Sequence, residues 1–309
     1  MYSSSRSLIS LIAILAILWI AGPAYAQANP DTSPHKSGFA SASGIRLSYL
    51  DWGGTGEIIL LLAGLGSDAH IFDEFAPRFT DRFHVIALSR RGFGDSDKPR
   101  SGYDIDTRVQ DIKEFLNALN LARVNIVGHS AAGDEMTRFA ALYPRRVNRL
   151  VYLEAAYTRT NYADLVMRDP DSSNFNKRLV LEAIGSPDAA KYPLKEAQPQ
   201  DAWEIYKAMY RSLIDFRPDY SKVHAPILAF FATPDHDPNM PENADEATRR
   251  KWDDWWVNHS MPVDRASREQ LRRQAPAAQI VEIKNASHMI FQGASEDEVV
   301  RRTTAFLIN

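Results

Sequence analysis

Between Val124 and Gly133 the chain reads Val-Asn-Ile-Val-Gly-His-Ser-Ala-Ala-Gly, and this run limits the fold more than any other. A β-prone segment ends at Gly128 and a helix-compatible one begins at Ala131. Ser130 stands at the corner, with Gly128 and Ala132 two residues to either side. A turn this sharp leaves no room there for side chains larger than hydrogen or methyl. The backbone at the serine is strained, and its hydroxyl is lifted clear of the sheet. The first helical turn then aims free N–H groups at the space beside that hydroxyl. This is the pattern of a nucleophile elbow. A Gly-x-Ser-x-small string also fits an ordinary strand-to-helix turn or a phosphate-binding one, so the rest of the chain has to decide.

The flanking sequence alternates strand and helix signals. Ile45 to Leu50 alternates in hydrophobicity, as a strand with one wet face does. Ile58 to Leu62 and His84 to Leu88 are continuous apolar runs, expected of strands covered on both faces. A tight glycine loop, Ala63-Gly64-Leu65-Gly66-Ser67, follows the first of them, and residues 69–79 fit a helix. From Asp104 to Leu119, Ile105, Val109, Ile112, Leu116 and Leu119 share one helical face. After the Ser130 corner a helix runs to Leu142 and stops before Pro144, and Arg149 to Leu153 is another strand. This rhythm predicts an α/β fold, a mostly parallel sheet with helices on both faces. Sites in such sheets form at the carboxyl ends of strands, where both the glycine loop and the Ser130 corner fall.

Two excursions interrupt the rhythm. Residues 157–223 carry no buried strand but have helical segments near 175–184 and 201–215, and are expected to form a helical cap. Trp203, Tyr206, Tyr210 and Leu213 lie at helical spacing there, a stripe that reads first as packing. The sheet resumes at Ile227 to Phe231. Residues 238–276 form a second, helical excursion with Trp252, Trp255 and Trp256, read as a buried helix face or as an aromatic wall for an apolar substrate. Gln279 to Ile283 is the last strand, and the last helix runs from about Ser295 to Leu307. Residues 39–156 and 224–309 are thus the expected core.

The composition narrows the chemistry. A formal net charge of −3 gives no electrostatic case for a nucleic-acid partner. With no cysteine, thiolate catalysis, disulfides and cysteine-ligated metals are excluded. The first 26 residues read as a signal peptide. Arg6 precedes the run from Leu8 to Ala21, which is apolar but for Ser10 and shorter than the ~20 residues of a bilayer span. Ala24-Tyr25-Ala26 is a small-x-small cleavage site. A cut after Ala26 would leave a periplasmic or secreted chain without a membrane span, its residues 27–38 a flexible tether; an uncleaved anchor is the other reading.

Taken together, the chain resembles the α/β-hydrolase superfamily over roughly residues 40–309. The resemblance rests on Gly128-His129-Ser130-Ala131-Ala132-Gly133, Gly64-Leu65-Gly66, Arg91-Gly92-Phe93-Gly94-Asp95-Ser96, Asp235 after a late strand and His288 after the last one, in the family's order Ser, Asp, His. Gly133-Asp134-Glu135 and Val151-Tyr152-Leu153-Glu154-Ala155-Ala156-Tyr157 look most like bacterial serine hydrolases of that superfamily. The resemblance implies Ser130 as nucleophile, His288 as base, Asp235 as its acid, and the N–H groups of Leu65 and Ala131 as oxyanion hole. No cofactor is expected, and no metal either, because the histidines lack paired metal-ligand spacing. The family often has His-Gly where this chain has Ala63-Gly64, and that histidine usually braces the loop. A serine at 130 argues against the haloalkane dehalogenase and epoxide hydrolase chemistries, which use a carboxylate.

These residue types suit acyl transfer. A serine hydroxyl needs a base within hydrogen-bond reach, and imidazole titrates near ~6.5. A carboxylate on the other ring nitrogen fixes the tautomer and stabilises the imidazolium. Glu154, ending the 149–153 strand, is a second candidate for that carboxylate and Asp237 a third; His259 is the rival base, while His129 should point away from the site. The expected function is hydrolysis of a carboxylic ester or lactone with an apolar portion. C–C or amide bond hydrolysis and cofactor-free perhydrolysis use the same triad, and a ligand-binding sensor on the same fold is the reading of another class.

Overall fold

A computed structural model describes residues 33–194, 199–237 and 239–309. The segment 1–26 read as a signal peptide lies outside the described residues, as does the first half of the tether. Eight strands form one sheet: β1 (Lys36–Ala42), β2 (Ile45–Gly53), β3 (Ile58–Leu62), β4 (His84–Leu88), β5 (Val124–His129), β6 (Val147–Leu153), β7 (Ile227–Thr233) and β8 (Gln279–Lys284). Their order across the sheet is β1-β2-β4-β3-β5-β6-β7-β8. β1 pairs antiparallel with β2, and β2 with β4; from β4 onward every pair is parallel.

The doubly covered strands divide their side chains by alternation. Leu60, Leu62, Ile86 and Ile126 enter one core, with α1 (Ile105–Ala118) and α2 (Ala132–Leu142) over it. Ile59, Leu61, Val85 and Val127 enter the other, under α8 (Glu296–Ile308). α1 starts where its sequence signal placed it, because the Asp104 carboxylate accepts the Thr107 N–H at 2.9 Å.

Two local expectations change. Residues 69–79 are not one helix but two 3-10 turns, Ala69–Phe72 and Ala76–Phe79. Pro77 has no N–H to donate back to the preceding turn, which breaks the run. β1 begins at Lys36, inside the segment read as tether. Its core-facing residues are only Ala40 and Ala42, too small to stand out as hydrophobic alternation.

The segment between β6 and β7 holds α3 (Tyr162–Arg168), α4 (Asn174–Ala183) and α5 (Gln200–Asp215). Trp203, Tyr210 and Leu213 of α5 pack on Tyr162, Val166 and Leu179, so the aromatic stripe is mainly packing. The second excursion forms α6 (Glu246–Trp255), a π-helical turn at Trp256–Ser260, and α7 (Met261–Gln274). Trp252 and Trp255 are buried against Leu165 of α3. These two tryptophans therefore form a buried helix face, and the second excursion packs on the first.

Candidate active site

Ser130 sits at the carboxyl end of β5 with φ +54°, the left-handed region that a non-glycine residue enters at a cost of about 1–2 kcal/mol. The strain is held by its surroundings. The Ser130 N–H donates to Leu153 O at 3.2 Å, and the Ser130 carbonyl accepts the Gly133 N–H at 3.1 Å. A Cβ at Gly133 would stand 1.8 Å from Ala155 O, so only glycine lets α2 start this close to β6. The elbow expected from the sequence is thus present as a strained corner.

His288 follows β8 and is 4 % exposed. Its Nδ1 lies 3.3 Å from Oε2 of Glu154, not beside Asp235. The acid expected at 235 is therefore corrected. Asp235 lies in the exposed turn two residues past β7, and no hydrogen bond or ion pair joins it to His288 among the described residues. Glu154 directly follows β6, which lies between β5 and β7, and its φ of +49° repeats the left-handed corner of Ser130. The carboxylate is fully engaged: Oε1 accepts the Ala232 N–H at 2.5 Å, and Oε2 accepts the Tyr157 hydroxyl as well as the imidazole N–H. Asp237, the third candidate, is buried elsewhere and accepts the Trp255 indole N–H at 3.0 Å.

Burial dominates the ionisation of this pair. It pushes the Glu154 carboxyl up to about 7, against the opposing hydrogen bonds from Tyr157 and Ala232. It pushes the His288 imidazole down to about 3, helped by the Arg159 cation. His288 is thus neutral at rest, and its buried Nε2 has no hydrogen-bond partner among the described residues. A neutral ring with Nδ1–H held by a carboxylate and a free Nε2 lone pair is the form a general base requires. Ser130 and His288 line one cleft. The hydrogen bond between them is not formed in this structure, as is common before substrate binds.

His129 was expected to point away from the site. It does, yet it serves it. Its ring lies 4.6 Å from that of His288, and its Nε2 is 3.0 Å from the His288 carbonyl oxygen. Burial, with His288 beside it, holds His129 far below the usual imidazole range. Its neutral Nε2–H can donate to that carbonyl and so fix the loop carrying the base. The rival base His259 stacks on Trp255 instead.

Leu65 and Ala131 both line the cleft beside Ser130. Among the described residues neither N–H donates to another protein group, which leaves both available to an oxyanion. The loop presses hard on the elbow: a Cβ at Gly64 would lie 3.0 Å from His129 Nδ1 and 3.1 Å from Ser130 Cβ. The brace that Ala63 cannot supply comes from Arg90. Its Nη1 donates to Gly64 O at 2.6 Å, its Nη2 to Ala63 O at 2.5 Å, and its Nε to Glu135 at 3.1 Å. Arg108 also donates to Glu135, at 2.5 Å. Sequence reasoning missed Arg90; its one signal was a charged pair, Arg90-Arg91, directly after a buried strand. We expect Arg90→Met to lower stability by about 3 kcal/mol, because Glu135 and two loop carbonyls lose a buried partner. Denaturant unfolding checks this; a loss below about 0.5 kcal/mol would show that the clamp holds nothing.

Metal-ligand spacing occurs in one group among the described residues: His35, His70 and Asp73, whose ligand atoms lie within 4.8 Å of one another. None of them lines the cleft. His70 Nδ1 already lies 3.1 Å from Asp73 Oδ2, an ordinary hydrogen bond.

A serine with a neutral imidazole and a buried carboxylate behind it, beside two free N–H groups, can run acyl transfer. The family model of the alpha/beta hydrolase fold matches residues 57–293, well over half of the chain. The chain belongs to this family. An uncharacterised protein of Mycobacterium tuberculosis is 34% identical over 125 residues, 40% of this chain and 36% of that protein. The 2-(acetamidomethylene)succinate hydrolase of Mesorhizobium japonicum is 33% identical over 112 residues, 36% of this chain and 40% of that one. These matches span less than half of the relatives' length. The solved structure of an E-2-(acetamidomethylene)succinate hydrolase superposes with a TM-score of 0.62 at 21% identity, covering 89% of this chain and all of that one, and shares the fold. No helix among the described residues of this α/β hydrolase is long and apolar enough to cross a membrane.

Proposed function

We propose that this α/β hydrolase is a serine hydrolase that cleaves a carboxylic ester or lactone through an acyl-enzyme on Ser130. The observation that carries the reading is His288, held through Nδ1 by Glu154 and lining one cleft with Ser130. His288 takes the hydroxyl proton as Ser130 attacks the carbonyl carbon. The tetrahedral oxyanion accepts the N–H groups of Leu65 and Ala131, each worth about 3 kcal/mol in such sites. The imidazolium, stabilised by Glu154, protonates the leaving alcohol, and water repeats the sequence to release the acid.

Leu65, Leu165, Leu213 and Val263 give the cleft an apolar side, which supports a substrate with an apolar portion. C–C or amide cleavage would use the same residues, and a panel of esters, amides and β-diketones separates these. The deciding experiment is labelling with a fluorophosphonate probe. The adduct should map to Ser130 by mass spectrometry, and an adduct elsewhere or none at all sinks the proposal. Residues 1–26 are proposed to direct export to the periplasm or beyond, with cleavage after Ala26; N-terminal sequencing of the exported protein should begin at Gln27.

A further inference from the structure

We infer that the substrate carries a carboxylate, bound by Arg159 inside the same cleft. The inference rests on the serine-hydrolase reading and names its substrate class. Arg159 is the only cationic side chain that lines the cleft among the described residues, and it is 7 % exposed. Its Nε is spent on Asp134, at 3.2 Å from Oδ1 and 3.0 Å from Oδ2. Neither terminal nitrogen has a hydrogen-bond partner among the described residues, and Nη2 is fully buried. A buried guanidinium is expected to have its N–H groups satisfied. Here Nη1 and Nη2, two donors spaced to match a carboxylate, are left without a protein partner beside the cleft.

The charges around it agree. Burial alone would weaken the Arg159 cation, but Asp134, helped by Tyr162, more than offsets this, so it stays charged. Asp264, the one acidic side chain of the cleft lining, is pushed well above the carboxylate range, first by burial and then by Glu154. That disfavours its charged form and weakens any competing claim on Arg159. Asp134 already offsets part of the charge, which suits a single negative charge better than a dianion. A small ester or lactone with a free carboxylate therefore meets a cation near the nucleophile, while its apolar part faces Leu165, Leu213 and Val263.

The test compares two substrates with one leaving group: mono-p-nitrophenyl glutarate and its methyl ester. The wild-type chain should favour the free acid in kcat/KM by about tenfold or more, mainly through KM. Arg159→Gln should collapse that preference, whatever common factor lowers both rates, and Arg159→Lys should restore part of it. An unchanged preference in Arg159→Gln would reduce Arg159 to a structural partner of Asp134 and overturn the inference. Binding to the Ser130→Ala chain, by calorimetry, supplies an arm that needs neither turnover nor a folded Arg159 variant. There monomethyl glutarate should bind about tenfold tighter than dimethyl glutarate, and equal affinities or no binding of the acid overturn the carboxylate site. Turnover of neither nitrophenyl ester counts against the hydrolase reading alone, since the calorimetric arm still reports on the anion.

Discussion

Ser130→Ala is expected to lower kcat on a p-nitrophenyl ester by about 10⁵-fold or more, because the acyl-enzyme can no longer form and the remaining site only binds and polarises. Fluorophosphonate labelling should vanish with it. The fold should not suffer, since Ser130 already has φ +54° and alanine inherits the same strain. Ser130→Gly goes further: it should be equally inactive yet more stable by about 1 kcal/mol, because glycine enters the left-handed region without penalty. Rate and thermal unfolding measured together decide the matter. Retained turnover in Ser130→Ala would remove the nucleophile from the scheme, and a less stable glycine variant would show that the corner is not strained.

Glu154→Gln should lower kcat by about 10⁴-fold, as expected when an amide can no longer hold the imidazole tautomer or stabilise the imidazolium. Asp235→Asn, in the exposed turn, should change it by less than about threefold. The pair separates the carboxylate found on His288 from the one expected after β7; a reversed result would restore Asp235. The same group sets a pH dependence. The base works when Glu154 is ionised and His288 neutral. Burial raises the Glu154 carboxyl to about 7, so the rate should rise with pH through about 7 and level off above it. The His288 imidazole, depressed to about 3, adds no limb near neutrality. For stability the sign is opposite. A carboxyl whose folded pKa is raised favours the folded state when protonated, and that contribution is lost as pH rises from its unfolded value of about 4.3 toward 7. Glu154→Gln should therefore be no less stable than the wild type at pH 8, and its rate should lack the limb near 7.

Most of the fold was legible because local signals agreed with one another. The apolar runs of β3, β4 and β7 were long enough to require cover on both faces, and alternation sends their residues to two cores. β1 escaped notice because an edge strand that buries only Ala40 and Ala42 leaves almost no pattern. The carboxylate partner was harder. Asp235 followed a strand in the expected order, while Glu154 followed four buried residues of β6 and sat before two buried alanines. A charge in that position needs buried partners, and that was the signal available.

The sequence alone determined the alternation of strand and helix, the strained serine corner at 130 and the histidine after the last strand, since each depends on neighbours a few residues apart. Tertiary structure alone decided what meets His288, what braces the glycine loop and what faces the cleft. Glu154, Arg90 and Arg159 reach their partners across strands and helices, and charge pairing over such distances is set by which elements pack side by side. Contacts of that kind leave no period in a chain, so only the folded sheet selects among carboxylates and cations that look equivalent when read in line.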